Sequence, residues 1–552
     1  MKRSVFGIVL ALLCLGLIGL SQPVGSETIQ AQTANIGPPV KEMLGQETPP
    51  SISAETQERL EFWGNYTTRP GPVTGLTAPV AGPVPGTASR LERERTMELP
   101  LAPETAKTFR NVNLPIVPAG YGSHVMESSV ATEGKYLFYT GNWFAARSTN
   151  GGGTWTWMNP FVGWPSYSPF CCDQVTIPDK ARKLLIWLQM GSPGTNPGTG
   201  NYENCFKLHV SKDGTWASWW TYTFFPTQTN GGWTNQFWDY PHIQLGPRYL
   251  YLSWNLFNQS GAFTRTVMLR LPLDALAAAA GFSYNYYDNS GWFTFVPAQG
   301  CDHVMYFASN WPLSGTQNNR IGIWRWDEAS GGLTFWEKTV AAWTLTGRGY
   351  ALCGSDTGNW AARYDQRLLT GARYRIASKD ILNIDPPLGR NVIAWWWNVA
   401  QGGGFSYPYI DGAAFFEDTI TQVPGYPGRP YVYGSWCFAY PSAAVNERGD
   451  VGMIFNYSYS PDWNPRVAFS IADEYWNAPP GWNVYNAKNS LYRPADKKWG
   501  DYNTNRPFFP SSEVWAAASH VLRSSTTGDS TPFYFVFGRE RDFESWKRWF
   551  NK

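Results

Sequence analysis

Charge is scarce in this chain of 552 residues. Lys, Arg, Asp and Glu make up 16 % of it, against about 25 % in an ordinary soluble domain. The few Lys and Arg are scattered rather than striped, which excludes a nucleic-acid partner. Histidine is rarer still, at five residues. No GxSxG, HExxH, P-loop or Rossmann fingerprint occurs, which removes the commonest hydrolase, metalloprotease and nucleotide-binding classes. Long apolar runs are absent after Leu20. The single early run, Val5 to Leu20, follows Lys2 and Arg3 and precedes SQPVGS, the layout of a secretory signal peptide over residues 1–26. Without Lys2 and Arg3 the 44 basic residues fall to 42, equal to the 42 acids. The expected mature protein is exported, neutral in net charge by this count, monomeric, and without a membrane span.

Cysteine is sparse but even in number after the leader: Cys171, Cys172, Cys205, Cys301, Cys353 and Cys437. In an exported chain that predicts up to three disulfides. Cys171 and Cys172 are adjacent, so one of them is expected to reach a distant partner such as Cys205, and Cys301 is read as a disulfide partner. No CxxC or HxxxH spacing favours zinc.

What the chain has in abundance is aromatic: 30 Trp, 30 Tyr and 31 Phe, with 54 Gly and 41 Pro. Aromatics favour strands, and Gly and Pro supply turns. Residues 27–112 are rich in Pro, Thr, Ala and Glu with almost no apolar periodicity, save a short helical pattern in SAETQERLEFW. They read as a disordered Pro-rich stalk. From residue 113 to 552 short aromatic runs recur, among them YLFYTGNWF, KLLIWLQM, YLYLSWNLF, VIAWWWNVA and FYFVFG. A repeating unit starts near residues 124, 173, 239, 302, 360, 441 and 499. The spacing predicts an all-β β-propeller of seven four-stranded blades, with six or eight also compatible.

The stretch Ser148-Thr149-Asn150-Gly151-Gly152-Gly153-Thr154-Trp155 resembles the Asp box (BNR repeat) of sialidase-like β-propellers, S-x-D-x-G-x-T-W, with Asn150 in place of Asp. A shortened match is Ser211-Lys212-Asp213-Gly214-Thr215-Trp216. The resemblance implies a fold, not an activity. Catalytic sialidases open with an Arg-bearing strand, and the nearest text here, Phe109-Arg110-Asn111-Val112, lacks the proline. Arg110 therefore reads as a linker residue.

In a propeller the innermost strands line the axis, and loops at one end form the site. The unit starts supply the candidates His124, Glu127, Asp173, Asp239, Tyr240, His242, Asp302, His303, Arg363, Tyr364, Asp501 and Tyr502. Asp173 and Asp302 suit the paired carboxyls of glycoside hydrolysis. His242 or His303 with Tyr364 or Tyr502 suits proton transfer in polysaccharide β-elimination. Asp239, Tyr240, Arg363, Tyr364 and Trp396 are expected to touch substrate. No cofactor is expected beyond a calcium ion ringed by Asp239, Asp302 and Asp501. Trp395-Trp396-Trp397 and Trp219-Trp220 offer sugar-stacking faces, against the plainer role of packing between blades. The C-terminal RERDFESWKRWFNK is expected to close the fold as a helix. The functional expectation is engagement of an extracellular carbohydrate or glycoconjugate, with or without cleavage. The rival is a non-catalytic propeller that binds a protein at the cell surface.

Overall fold

The aromatic runs form strands whose alternation feeds two cores at once. In Leu184–Gly191, Leu184, Ile186 and Leu188 enter one core while Leu185 and Trp187 enter the next. In Asn391–Val399, Trp395 and Trp397 face one side and Trp396 the other. All three are fully buried, and Trp396 Nε1 donates to Pro430 O. They are packing residues, and Trp396 is not a substrate platform. Trp219 is likewise buried, and Lys41 lies over Trp220.

The computed structural model describes residues 26–42, 44, 105–114, 122–123, 125–315, 318–344, 353, 360–361, 366–375, 390–425, 428–473, 482–494, 497–524 and 530–550. The fold is all-β, in many antiparallel sheets. Seven strands each open a meander: β1 (Ser129–Glu133), β2 (Phe170–Asp179), β3 (Gln236–Leu245), β4 (Val296–Gln299), β5 (Leu368–Arg375), β6 (Cys437–Val445) and β7 (Thr504–Pro507). Each pairs with the strand that follows it. β1 packs beside β2, and the series continues in order through β7, which packs beside β1. The sheets of β4 and β5 merge through a short parallel pairing, Ala298 with Gly371 and Gln299 with Ala372. Residues Phe543–Phe550 form a helix whose Trp546 is buried.

The segment expected to be a stalk contributes strands. Glu27–Ile29 pairs with Leu333–Thr339, Gln32–Ile36 with Phe282–Asn289, and Val40–Glu42 with Trp219–Phe224. Each adds an outer strand to a different sheet. Ala106–Asn113 pairs with Ser530–Arg539, so the last sheet joins early and late chain. Its Arg110 is no linker residue: Nε donates to Gly151 O at 2.6 Å and the guanidinium lies over Phe550. Residues 1–25 and the SAETQERLEFW pattern lie outside the described residues.

Two disulfides form, Cys171–Cys172 and Cys353–Cys437. The adjacent cysteines therefore bond to each other, and Cys205 and Cys301 are buried free thiols. Cys301 sits inside an apolar core, and Cys205 Sγ lies 3.7 Å from Ser168 Oγ. Among the described residues no helix is long and apolar enough to cross a membrane.

The turn at 148–154 joins the third and fourth strands of its sheet, Ala145–Ser148 and Thr156–Met158. Ser148 Oγ accepts from Gly152 N at 2.8 Å, and Asn150 Oδ1 accepts from Thr154 N at 2.8 Å. Gly151, at φ 71°, lies against Phe550, where a Cβ would approach its ring to 2.1 Å. The turn after Phe206–Ser211 occupies the same place in the next sheet, with Asp213 accepting from Thr215 N and Ser218 N. Asp327 does the same after Arg320–Asp327, accepting from Ala329 N and Ser330 N.

Candidate functional site

Asparagines tie each meander to the next and fix the ends of the inner strands. Asn142 donates to Val125 O at 2.8 Å and accepts from Asp173 N at 2.9 Å. Asn255 accepts from Thr294 N, Asn310 from Leu368 N, and Asn398 from Tyr440 N. Asn142 and Asn310 follow the second strands of their sheets, whereas Asn255 and Asn398 lie within them. Next to these ties the backbone is forced into the left-handed region, at Glu127 (φ 49°), Asp173 (φ 47°), Tyr240 (φ 59°) and Tyr440 (φ 56°). Register shifts bracket Tyr240 and Tyr440, as in bulged strands. Non-glycine residues held there are strained, and such strain concentrates at functional sites.

Three carboxyls gather at this end. Glu127 and Asp173 are hydrogen-bonded to each other, and Asp501 acts on both. Lys498 opposes their charge, and Arg367 pairs with Asp501 at 3.4 Å. Arg367 also lies over the ring of Tyr240, which meets His242 and Tyr502 edge-on. Three acids thus share the site with Lys498 and Arg367. Burial, then the Asp501 charge, pushes the Glu127 carboxyl up to about 7. Burial, then Glu127, raises Asp173 well above the usual carboxylate range. Like charges in a shared low-dielectric site cannot all ionise, so the Glu127–Asp173 pair carries a proton at neutral pH. The Tyr502 phenol is raised by burial and by Asp173, so it stays protonated. Burial, then Arg367, lowers His242 to about 3, which keeps the imidazole neutral.

Asp173, Tyr240, His242 and Tyr502 therefore come together with Glu127 and Asp501. Asp239 adjoins them in β3, where its Oδ1 accepts from Tyr240 N. Asp302 and His303 do not join. They lie in the turn that follows β4, half-exposed Asp302 pairs with Arg373 at 3.1 Å, and His303 is exposed with its N–H bonded to Asp302. Arg373 lies six residues beyond Arg367 along β5, about 20 Å at the usual strand rise. Asp302 and Asp501 thus sit at opposite ends of the inner strands, and Asp239, Asp302 and Asp501 form no common calcium shell. Among the described residues no cluster of three or more His, Cys, Asp and Glu is arranged to hold a metal. His124, Arg363 and Tyr364 lie outside the described residues.

The sequence candidates omit two members of this cluster, Arg367 and Lys498. Both precede inner strands, in loops without a repeating pattern. A signal was present for the asparagine ties: Asn stands within or just after the strong aromatic strand in GNW, WNLF, SNW, WNVA and FNYS.

No family model matches the chain, and no curated protein matches it. Solved structures do. An α-L-arabinofuranosidase, Arb93A, from Fusarium graminearum is 9 % identical, with 79 % of this chain and 99 % of that chain covered and a TM-score of 0.36. A protein of unknown function from Dyadobacter fermentans is 10 % identical over the same shares, with a TM-score of 0.36. The phage phi92 endosialidase is 8 % identical, with 78 % and 69 % covered and a TM-score of 0.34. These overlays are distant, and the architecture described above stands on strand pairing alone.

Proposed function

We propose that the chain is an exported glycoside hydrolase built as a seven-bladed propeller, with its active site at the end of the inner strands that carries Glu127, Asp173 and Asp501. The observation that carries the reading is the carboxyl cluster itself: a pair that keeps one proton at neutral pH beside a third, more exposed carboxylate. Hydrolysis of a glycosidic bond needs one carboxylic acid to protonate the leaving oxygen and one carboxylate on the other side of the sugar. The Glu127–Asp173 pair supplies the acid. Asp501, held by Arg367 and a third exposed, supplies the carboxylate. Tyr502, partly exposed beside the cluster, offers a ring to the sugar.

The ordered contact of β1 through β7 and back to β1 supports seven blades. The capped turns at 148–154, 213–218 and 327–330 recur in one position and support the sialidase-like resemblance. The disulfides suit an oxidising compartment, as does a signal peptide over residues 1–26. Elimination is the weaker chemistry, because His242 is held neutral with little basicity and Tyr502 keeps its proton.

The test is a broad polysaccharide panel treated with the full chain, with reducing ends and ultraviolet absorbance followed together. New reducing ends without absorbance are expected, and Glu127→Gln and Asp501→Asn should each lower the rate by at least about 100-fold. Unsaturated products would replace hydrolysis with elimination. Silence on both, with the protein folded, would return the reading to a binding module for a cell-surface partner.

A further inference from the structure

Five arginines are buried among the described residues: Arg270, Arg367, Arg466, Arg506 and Arg539. Four have partners: Asn285 and a carbonyl for Arg270, Asp501 for Arg367, Asp462 for Arg466, and Asp473 for Arg539. Arg506 is the exception. It is 6 % exposed, and among the described residues its guanidinium has no hydrogen bond and no ion pair. Burial lowers it to about 9, which leaves it charged at neutral pH. An uncompensated buried charge costs several kcal/mol, and a guanidinium sheds its proton reluctantly.

Arg506 lies in β7 and lines a cavity of ≈ 70 Å³ among the inner strands. That space admits a small ion or a few water molecules. Among the described residues its lining contains one cation and no carboxylate. His242 and Gln244 line it too. His242 Nε2 is buried without a partner, and the Gln244 amide makes no hydrogen bond among the described residues. In its neutral form the imidazole donates one N–H; the lining also carries the unpartnered Tyr502 hydroxyl and one unpartnered acceptor, Asn505 Oδ1.

We propose that this cavity holds a small monovalent inorganic anion of the halide class, bound by the Arg506 guanidinium with His242 and Gln244 as further donors. The ion neutralises the one buried arginine that lacks a partner among the described residues and ties β7 to β3. It is separate from the hydrolase reading, since it needs neither Glu127 nor Asp501.

The test uses the full chain purified in sodium gluconate and titrated with sodium bromide at constant ionic strength. An ion that binds only the folded state raises the melting midpoint. A saturable rise of a few degrees is expected for the native protein, and no bromide response for Arg506→Met or Arg506→Gln. Crystals grown with bromide should show an anomalous peak inside the cavity, which decides the matter should the variants fail to fold. Identical melting in bromide and gluconate, an undiminished response in folded Arg506→Met, or an anomalous map without a peak at Arg506 would overturn the proposal.

Discussion

Glu127 is the residue on which the chemistry turns, and its burial gives it a measurable signature. Its carboxyl is raised from 4.5 to about 7 in the folded protein. Between those values the folded state binds a proton that the unfolded state has released, so stability falls as pH rises through that window and levels off above it. The shift corresponds to about 3 kcal/mol. Urea denaturation from pH 4.5 to pH 8 should show this loss, and Glu127→Gln should flatten it and be the more stable protein at pH 8. A second residue-scale prediction concerns Arg539 and Asp473, whose side chains are 3 % and 0 % exposed and joined at 2.7 Å. Removing one partner strands the other charge, so Arg539→Met should cost about 3–5 kcal/mol in the same assay. The double variant Arg539→Met, Asp473→Leu should recover a large part of it.

Among the elements, the ties between meanders matter as much as the strands. Asn142→Ala leaves Asp173 N–H and Val125 C=O without their buried partner. Each unsatisfied group costs about 1–3 kcal/mol. Because Asp173 is held in the left-handed region beside this tie, the variant should also lose turnover, read as a fall in kcat larger than any change in KM. The outer strands make a different prediction. Deleting residues 27–44 would expose the edges of Trp219–Phe224, Phe282–Asn289 and Leu333–Thr339, and bare edges invite association. Light scattering should detect aggregates that the full chain does not form.

These elements also show what the sequence could reveal. Strands such as Leu184–Gly191 are legible because both faces are buried and every residue but Gln189 is apolar or aromatic. Strands 27–42 are not, since almost every side chain there is at least partly exposed. Their order comes from backbone pairing with distant strands, which leaves no apolar period to read. Asp302 and His303 are misplaced for a related reason. β4 is only four residues long, VPAQ, and the stronger run from Val304 outweighs it, so the repeat is framed one strand late. Asp173, Tyr240 and His242 lie within better-marked strands that open their meanders, and Tyr502 lies just before one, so the repeat frame reaches them. Arg367 and Lys498 could be recognised only once the sheets were assembled around them.

For the whole molecule, one carboxyl cluster is assembled from three meanders, by Glu127 before β1, Asp173 in β2 and Asp501 before β7, and burial with like charge makes the Glu127–Asp173 pair keep a proton. That proton is the central claim, because the acid step of hydrolysis depends on it. It is tested most directly by carbon-13 NMR of the full chain labelled at Asp and Glu carboxyls, titrated from pH 3 to pH 9. The account predicts a carboxyl resonance that titrates near pH 7 and is lost in Glu127→Gln. If every carboxyl titrates in the ordinary carboxylate range near 4, the cluster holds no proton at neutral pH and the account is wrong.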